Sequence, residues 1–170
     1  NGGSYRQTSF SSAELYDPVA KTWTTTGSMP GGKDSHTASR LPNGKVLVVG
    51  GENNGSSGAF ATYLYDIASG LWTTTANMPN YTLIYLSSTL LPDGKVLFPG
   101  GWWNSDNGSS AVQIYDPQTA QWLTTNSMSF ERKNHTTTLL PSGKVLVAGG
   151  QDWNGSSRVN LSSAELYDSA

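Results

Sequence analysis

The sequence contains no cysteine in its 170 residues. Disulfides, thiol nucleophiles and thiolate metal sites are therefore excluded, while a reducing and an oxidising compartment are both compatible with the chain. Charged residues make up 13% of the sequence, against roughly 25% in a typical soluble domain, which excludes a long charged helix bundle. Ten basic and 12 acidic residues give a net charge of -2, and this balance argues against a protein that neutralises nucleic-acid phosphates.

Long apolar segments are also missing. The longest aliphatic run is Val-Leu-Val-Val at 46–49, whereas a membrane-spanning helix needs roughly 20 apolar residues. No segment repeats apolar residues at spacings of three and four, so we expect essentially no helix and an all-β fold. The length fits one domain. The chain starts without Met and without a charged-then-apolar leader, which leaves open a removed signal segment and a cut from a longer chain.

The chain does contain an internal repeat of 49 to 52 residues. The repeated residues are the glycine pairs at 50–51, 100–101 and 149–150, Trp23, Trp72 and Trp122, Met29, Met78 and Met128, and the Tyr-Asp pairs at 16–17, 65–66, 115–116 and 167–168. The repeat phases run over about 1–51, 52–101 and 102–150, with a partial repeat at 151–170. A period of this length is that of a propeller blade.

Each repeat is predicted to contain four short strands, which we name a to d. Leu-Pro-x-Gly-Lys turns at 41–45, 91–95 and 140–144 separate strand a from an aliphatic strand b that ends in the glycine pair, the signature of a hairpin. Strand c ends in Tyr-Asp, and strand d begins at the repeated Trp. The predicted order is c and d, then two complete sets, then a, b and c, which gives 13 strands.

These features resemble the kelch repeats, and more specifically the bacterial kelch and galactose-oxidase-like propeller units. The resemblance rests on the aliphatic strand ending in Gly-Gly, a Tyr about 14 residues later, and a Trp seven residues after that Tyr. It implies a β-propeller of four-stranded blades around a channel lined by strand a, here three blade equivalents plus one extra strand. Kelch-like propellers include docking scaffolds, sugar-binding modules and copper radical oxidases, so the resemblance alone does not fix a function.

An enzyme is not expected. The oxidase branch of this family relies on a Tyr cross-linked to a Cys, which this chain lacks. A sialidase-like site needs three Arg around its substrate, and the four Arg fall at unrelated repeat phases: Arg6, Arg40, Arg132 and Arg158. His36 and His135 occupy equivalent positions, but Leu86 replaces them in the middle repeat, so we expect neither a metal nor another cofactor. An oxidase-like enzyme fragment remains the alternative.

The candidate ligand-binding residues lie in the segments where the repeats differ. Binding residues tend to occupy loops that a rigid scaffold positions, and three Trp lie there outside the repeat pattern. The candidate set is Trp102, Trp103, Asn104, Asp152, Trp153 and Arg132. Trp beside Asn and Asp suits a carbohydrate platform, and Trp with Arg also suits a protein-binding hot spot. The alternative is that these Trp only cover strand ends. The Trp of strand d, Trp23, Trp72 and Trp122, are expected between blades.

The strand count predicts an incomplete ring. Three blades and one strand fall short of the four to eight blades of closed propellers, and the segments 11–17 and 162–168 have identical sequences. We therefore expect two chains to join head to tail as a homodimer with a six-bladed ring. The alternatives are a piece of a longer propeller and an engineered repeat protein with no ligand of its own.

Overall fold

The computed structural model describes residues 9–52, 61–79, 84–102, 108–153 and 155–168. Over these residues the chain consists of strands, turns and irregular segments. They contain no helix of a length and apolarity that would cross a membrane. The strands are β1 (Glu14–Asp17), β2 (Thr22–Thr25), β3 (Asp34–Arg40), β4 (Val46–Glu52), β5 (Thr62–Asp66), β6 (Leu71–Thr75), β7 (Thr89–Leu90), β8 (Val96–Pro99), β9 (Val112–Asp116), β10 (Gln121–Thr125), β11 (Thr136–Leu139), β12 (Val145–Ala148), β13 (Gln151–Trp153), β14 (Arg158–Asn160) and β15 (Ala164–Tyr167).

The strands form antiparallel sheets that follow the repeat. Blade 1 has the order β3-β4-β5-β6, and blade 2 places β7 to β10 in the same order. Blade 3 contains β11-β12-β15, and the pair β1-β2, which we call the terminal hairpin, stands in front of blade 1. The expected all-β fold is confirmed. The strand count differs from the expected 13, because an additional hairpin, β13-β14, is inserted between strands b and c of blade 3.

Local sequence explains the turns of each blade. Between strands c and d, the Asp66 side chain accepts hydrogen bonds from the backbone N–H groups of Ala68 at 2.9 Å and Ser69 at 3.2 Å, which fixes an Asx-type turn. Asp17 makes the same turn in the terminal hairpin. Between strands a and b, Gly44 has φ of +85°, a backbone conformation that favours glycine. Asp116 accepts from the backbone N–H of Gln118 at 2.9 Å in the equivalent turn of blade 2, so the Asp of these three Tyr-Asp pairs is a turn residue.

The core lies between consecutive blades. The cluster between blades 1 and 2 consists of Leu41, Leu47, Val49, Met78, Val96, Phe98 and Tyr115, and the cluster between blades 2 and 3 of Leu91, Leu97, Val112, Ile114, Val145 and Val147. Each cluster combines side chains from two neighbouring sheets. Because a single sheet cannot cover both of its own apolar faces, stacking neighbouring blades is what buries them.

Repeated hydrogen bonds also connect each blade to the preceding one. The Trp72 indole N–H donates to the carbonyl of Gly27 at 2.6 Å, and the Trp122 indole N–H donates to that of Ala76 at 2.8 Å. The expected position between blades is confirmed for these two Trp. It is wrong for Trp23, which is 65% exposed, because no blade precedes the terminal hairpin in the described chain.

The inner strands meet through polar contacts. Hydroxyl pairs join the inner strands of adjacent blades, Thr37 with Ser88 at 2.9 Å and Ser87 with Thr137 at 2.6 Å. At one end of these strands, three residues of the same repeat phase have positive φ: Ser35, Tyr85 and Asn134. Tyr85 donates its N–H to Ser35 and accepts from Asn134, each at 3.3 Å. These backbone hydrogen bonds fix the inner strands of the three blades relative to one another at this end.

Candidate ligand-binding face

The connections from b to c and from d to the next a lie at one end of the blades, which we call the loop face. Short antiparallel bridges join them edge to edge: Phe10 with Lys33, Ile84 with Trp102, Trp102 with Gly108, Ser109 with Arg132, and Lys133 with Gln151. In the first and last of these d-to-a connections, one residue pairs with the preceding strands and the next pairs with its own blade: Lys33 and then Asp34, Arg132 and then Lys133. Backbone bridges therefore connect the loops of the loop face to one another, and the stacked blades hold these loops in position.

Arg132 is buried beneath this face, and its expected role in ligand contact is corrected. Its side chain is 0% exposed and forms a salt bridge with Glu165 at 2.9 Å. The guanidinium also donates to the Gly149 carbonyl at 2.9 Å. Lys33 occupies the same repeat phase, is also buried, and donates to the Gly50 carbonyl at 2.9 Å. A cation at this position therefore binds the first glycine carbonyl of the pair, which is a structural function.

Burial also lowers the basicity of two groups near this position. The pKa of Lys33 is lowered to about 8 by burial. The pKa of His135 is lowered to about 4, first by burial and then by the positive charge of Arg132. A Cβ at Gly100 would lie 2.9 Å from His135 Cε1, so the imidazole fills the junction between blades 2 and 3. Neither ring nitrogen has a hydrogen-bond partner among the described residues.

The two histidines do not form a shared site. His36 lies beside the terminal hairpin, at the junction in front of blade 1, and its pKa is lowered by burial and by Lys33. His135 lies two junctions further along the chain. Within the described ranges no three His, Cys, Asp or Glu side chains come together in a group that could hold a metal ion.

Trp102 forms an aromatic and cationic cluster on the loop face. Its ring is half-buried, and the centroid of the Tyr85 ring lies 6.1 Å away at an interplanar angle of 41°. The Lys133 ammonium lies 5.1 Å from the centroid of the same indole, within the range of a cation–π interaction. Tyr85 itself is 39% exposed. Lys133 is 3% exposed, so its ammonium packs against the indole inside the protein, and Tyr85 and Trp102 supply the aromatic surface that reaches solvent.

The hairpin β13-β14 adds a carboxylate and a second indole. Asp152 and Trp153 are both half-buried, and the backbone N–H of Trp153 donates to the Asp152 carboxylate at 2.7 Å. Trp153 faces Arg158 in the register of the hairpin. Burial and, to a smaller extent, the charge of Asp152 raise the pKa of Glu131, so the two carboxylates lie near each other.

The structure brings part of the expected set together. Lys133 contacts the Trp102 ring and pairs with Gln151, the residue before Asp152, so Trp102 and the β13-β14 hairpin belong to one continuous surface. Trp103 and Asn104 lie outside the described residues. Tyr85 and Lys133 are not among the residues that the sequence predicts for this site. The available signal was their position in the d-to-a connections, which reach the same end of the blades.

The stacked four-stranded antiparallel sheets define the chain as a β-propeller protein. A sequence model of the Kelch motif matches residues 2–30. Among solved structures 181 chains match; the one titled "Structure of YjhT" aligns with a TM-score of 0.80 at 16% identity and covers 93% of this chain. No curated protein matches. The chain is therefore similar to the Kelch motif over residues 2–30 and to this solved structure in its fold, and it spans 60% of the length of the YjhT chain.

Proposed function

We propose that the chain is a non-enzymatic binding module that binds carbohydrate on its loop face. The observation that carries this proposal is the pair of partly exposed rings, Trp102 and Tyr85, with the buried Lys133 ammonium packed against the Trp102 indole. Ligand sites combine aromatic surface with a small number of placed polar groups. A kelch-repeat propeller is compatible with this use, because the scaffold holds its loops rigid while their sequences vary.

The neighbouring polar groups suit hydroxyl ligands. An indole or phenol ring offers an apolar face for the C–H groups of a sugar ring. Carboxylates such as Asp152 and Glu131 accept hydrogen bonds from hydroxyl groups. Trp153 supplies a second indole on the adjacent hairpin. A ligand that spans both indoles would contact the whole surface.

Two features support binding rather than catalysis. The absence of cysteine prevents the cross-linked cofactor of the resembled oxidases. The carboxylates of Asp66 and Asp116 accept backbone N–H bonds within their own turns, so they are engaged in structure and lie on the c-to-d turns.

A glycan array with the purified chain, followed by titration calorimetry of the best ligand, tests the proposal. We expect Trp102→Ala and Trp153→Ala each to weaken binding roughly tenfold or more, as for aromatic hot spots. Asp152→Asn keeps the shape of the side chain and is expected to have a smaller effect. Leu123→Ala is the matched control, because Leu123 is exposed on the outer strand β10, and its affinity should be unchanged.

Three outcomes would overturn the proposal. The first is binding that the Trp variants leave unchanged, and the second is binding to peptide arrays but to no glycan. The third is copper-dependent oxidation of a sugar alcohol, which would indicate an oxidase. Circular dichroism of each variant confirms that lost binding is not lost folding.

A further inference from the structure

A groove lies at the end of the blades opposite the loop face. Because each blade is an antiparallel meander, the a-to-b and c-to-d turns meet at this end, which we call the turn face. The groove has a volume of about 500 Å³ and lies between the a-to-b turn of blade 1 and both turns of blade 2. Its lining includes three prolines and three charged residues: Pro42, Pro92, Pro117, Asp93, Lys95 and Asp116.

The walls of this turn groove are rigid. Proline has a fixed φ, and Pro42, Pro92 and Pro117 belong to the three turns that meet at the groove. A Cβ at Gly94 would lie 3.2 Å from Cγ of Pro42, so the a-to-b turns of the two blades are in close contact. The shape of the groove is therefore set by the turns themselves.

A repeated ion pair lies on the turn face in two of the three blades. In blade 1, Nζ of Lys45 lies 3.4 Å from Oδ2 of Asp66, and in blade 3, Nζ of Lys144 lies 2.8 Å from Oδ2 of Asp168. In each pair a lysine that follows the a-to-b turn neutralises the aspartate that ends strand c. This pairing is the regular arrangement of the blade.

Blade 2 departs from this arrangement. The register of β8 with β9 places Lys95 next to Asp116, as in the other blades. The Lys95 ammonium instead lies 2.6 Å from Oδ2 of Asp93, two residues earlier in its own turn. The hydrogen bond to Asp93, and then the charge of Asp93, raise the pKa of Lys95. The lysine of blade 2 is therefore held by its own turn.

One side chain in the a-to-b turn explains the difference. Oδ1 of Asn43 accepts the Lys45 N–H at 3.1 Å, and Oδ1 of Asp93 accepts the Lys95 N–H at 3.0 Å. The second terminal atom of Asn is a donor, whereas that of Asp is an acceptor. Asn43 therefore offers no second acceptor to Lys45, which contacts Asp66 instead, while Asp93 retains Lys95.

Asp116 consequently has an oxygen that no cation neutralises within the described ranges. The side chain is half-buried at the groove. Its Oδ1 accepts the backbone N–H of Gln118 at 2.9 Å. Its Oδ2 is the atom that contacts a lysine in blades 1 and 3, and it forms no salt bridge with a described residue of blade 2. A carboxylate in this state, beside proline rings, is complementary to a cation with an apolar stem.

We propose that the turn groove is a docking site for an arginine side chain of a partner protein, with the guanidinium bound to Asp116. A guanidinium is planar, donates two parallel hydrogen bonds to one carboxylate and is weakly hydrated, whereas an ammonium is strongly hydrated. The aliphatic stem of arginine packs on apolar surface, which the proline rings supply. The groove lies at the opposite end from the loop face, so this inference does not depend on the proposed function.

NMR titration of the isotope-labelled chain with the blocked tripeptide acetyl-Gly-Arg-Gly-amide tests the docking site. We expect saturable shifts of the amides of Gly94, Lys95 and Gln118. The same peptide with citrulline has the same shape without the charge and should bind roughly tenfold more weakly or less, and the lysine peptide should also bind more weakly. Equal binding of the citrulline peptide, or no saturable shift at these amides, overturns the proposal. Free L-arginine that binds as tightly as the tripeptide indicates a small-molecule site and also overturns it.

A conservative variant tests the role of Asp116. Asp116→Asn keeps the oxygen that accepts the Gln118 N–H, so the turn should remain folded, and it should weaken binding of the arginine peptide roughly tenfold or more. Asp66→Asn is the matched control, because Asp66 occupies the same repeat phase outside the groove and already contacts Lys45. Its affinity should equal that of the wild type. Equal losses for the two variants would contradict the proposed contact.

A pair of variants distinguishes Asp116 from Asp93. Asp93→Asn gives blade 2 the turn residue of blade 1, so Lys95 should move to Asp116 and binding should weaken. Adding Lys95→Gln removes the competing ammonium and should restore binding to within about threefold of the wild type. If the double variant binds as weakly as Asp93→Asn alone, Asp93 holds the cation and the proposal is overturned.

Discussion

The closed junction between blades 1 and 2 and the open junction at the terminal hairpin contain the same Tyr and Trp motif in different surroundings. The ring centroids of Tyr115 and Trp122 lie 5.1 Å apart, and those of Tyr16 and Trp23 lie 5.0 Å apart. Tyr115 is 1% exposed, however, whereas Tyr16 is 49% exposed. The contact within one hairpin therefore forms in both places, and the neighbouring blade supplies the burial. Stability should reside in the junctions, as in other repeat proteins.

The two histidines repeat this contrast. His135 is 7% exposed in a junction that has a blade on both sides, and His36 is exposed beside the terminal hairpin. Both have a lowered pKa, but only that of His135 falls as far as about 4. Two histidines at the same repeat phase therefore differ in pKa because their junctions bury them to different extents.

Removing a Trp should have the largest effect, and the size of the effect should depend on the junction. Trp122→Ala removes an indole that packs against Phe98 and Tyr115 and bonds to Ala76. Because the ring is half-buried, we expect a loss of about 3 kcal/mol in the free energy of unfolding, the lower end of the range for a buried Trp. Chemical denaturation followed by circular dichroism measures it.

Trp23→Ala is the matched variant in the open junction. Its side chain has no neighbouring blade, so we expect a loss below about 1 kcal/mol for the isolated protomer, as for exposed positions. Equal losses for the two variants would contradict the view that the junctions carry the stability.

Acid should destabilise the junction between blades 2 and 3 through His135. The folded pKa of about 4 lies below the ordinary 6.5, so the unfolded chain binds the proton first as the pH falls. Neutral His135 makes its full contribution to the free energy of unfolding above pH 6.5. That contribution decreases by about 3 kcal/mol in total as the pH falls from 6.5 to 4. Denaturation curves across this range measure the decrease.

His135→Leu isolates this contribution, because Leu86 stands at the same repeat phase in blade 2. The difference in unfolding free energy between the wild type and this variant should change with pH over the stated window. His36→Leu should produce a smaller change. If the His135 variant follows the wild type at every pH, the imidazole is not held neutral by the junction.

Much of the blade could be predicted from the sequence because its signals are local. The spacing of seven residues from Tyr65 to Trp72 fixes a short hairpin, and the observed register pairs these two residues. The Leu-Pro-x-Gly-Lys turns likewise locate strands a and b. The β13-β14 hairpin was missed because 151–153 and 158–160 show no alternation of apolar and polar residues, although Asn-Gly at 154–155 is a hairpin turn signal.

The site was less predictable because it depends on contacts distant in sequence. Arg132 reads as a loop residue, and its burial follows from Glu165, 33 residues later. The Tyr85 and Trp102 pair combines a d-to-a connection with a b-to-c connection. Trp23 has the motif of an interior residue, but its exposure depends on the absence of a preceding blade among the described residues. Motif spacing identifies a residue's phase, and the neighbouring blade determines its environment.

The smallest expected effect comes from a single hydroxyl group. Tyr115 and Thr75 share a hydrogen bond of 2.7 Å between blades 2 and 1. Tyr115→Phe removes one partner and leaves the Thr75 hydroxyl in a junction with limited access to water, so we expect a loss of about 1 kcal/mol. Tyr16→Phe is the matched change in the terminal hairpin and should alter the unfolding free energy of the isolated protomer by a few tenths at most, because exposed Tyr16 retains access to water. Thermal unfolding of both variants at one pH measures the difference. Equal small losses for both Tyr variants would mean that these hydroxyl bonds contribute nothing to blade stacking.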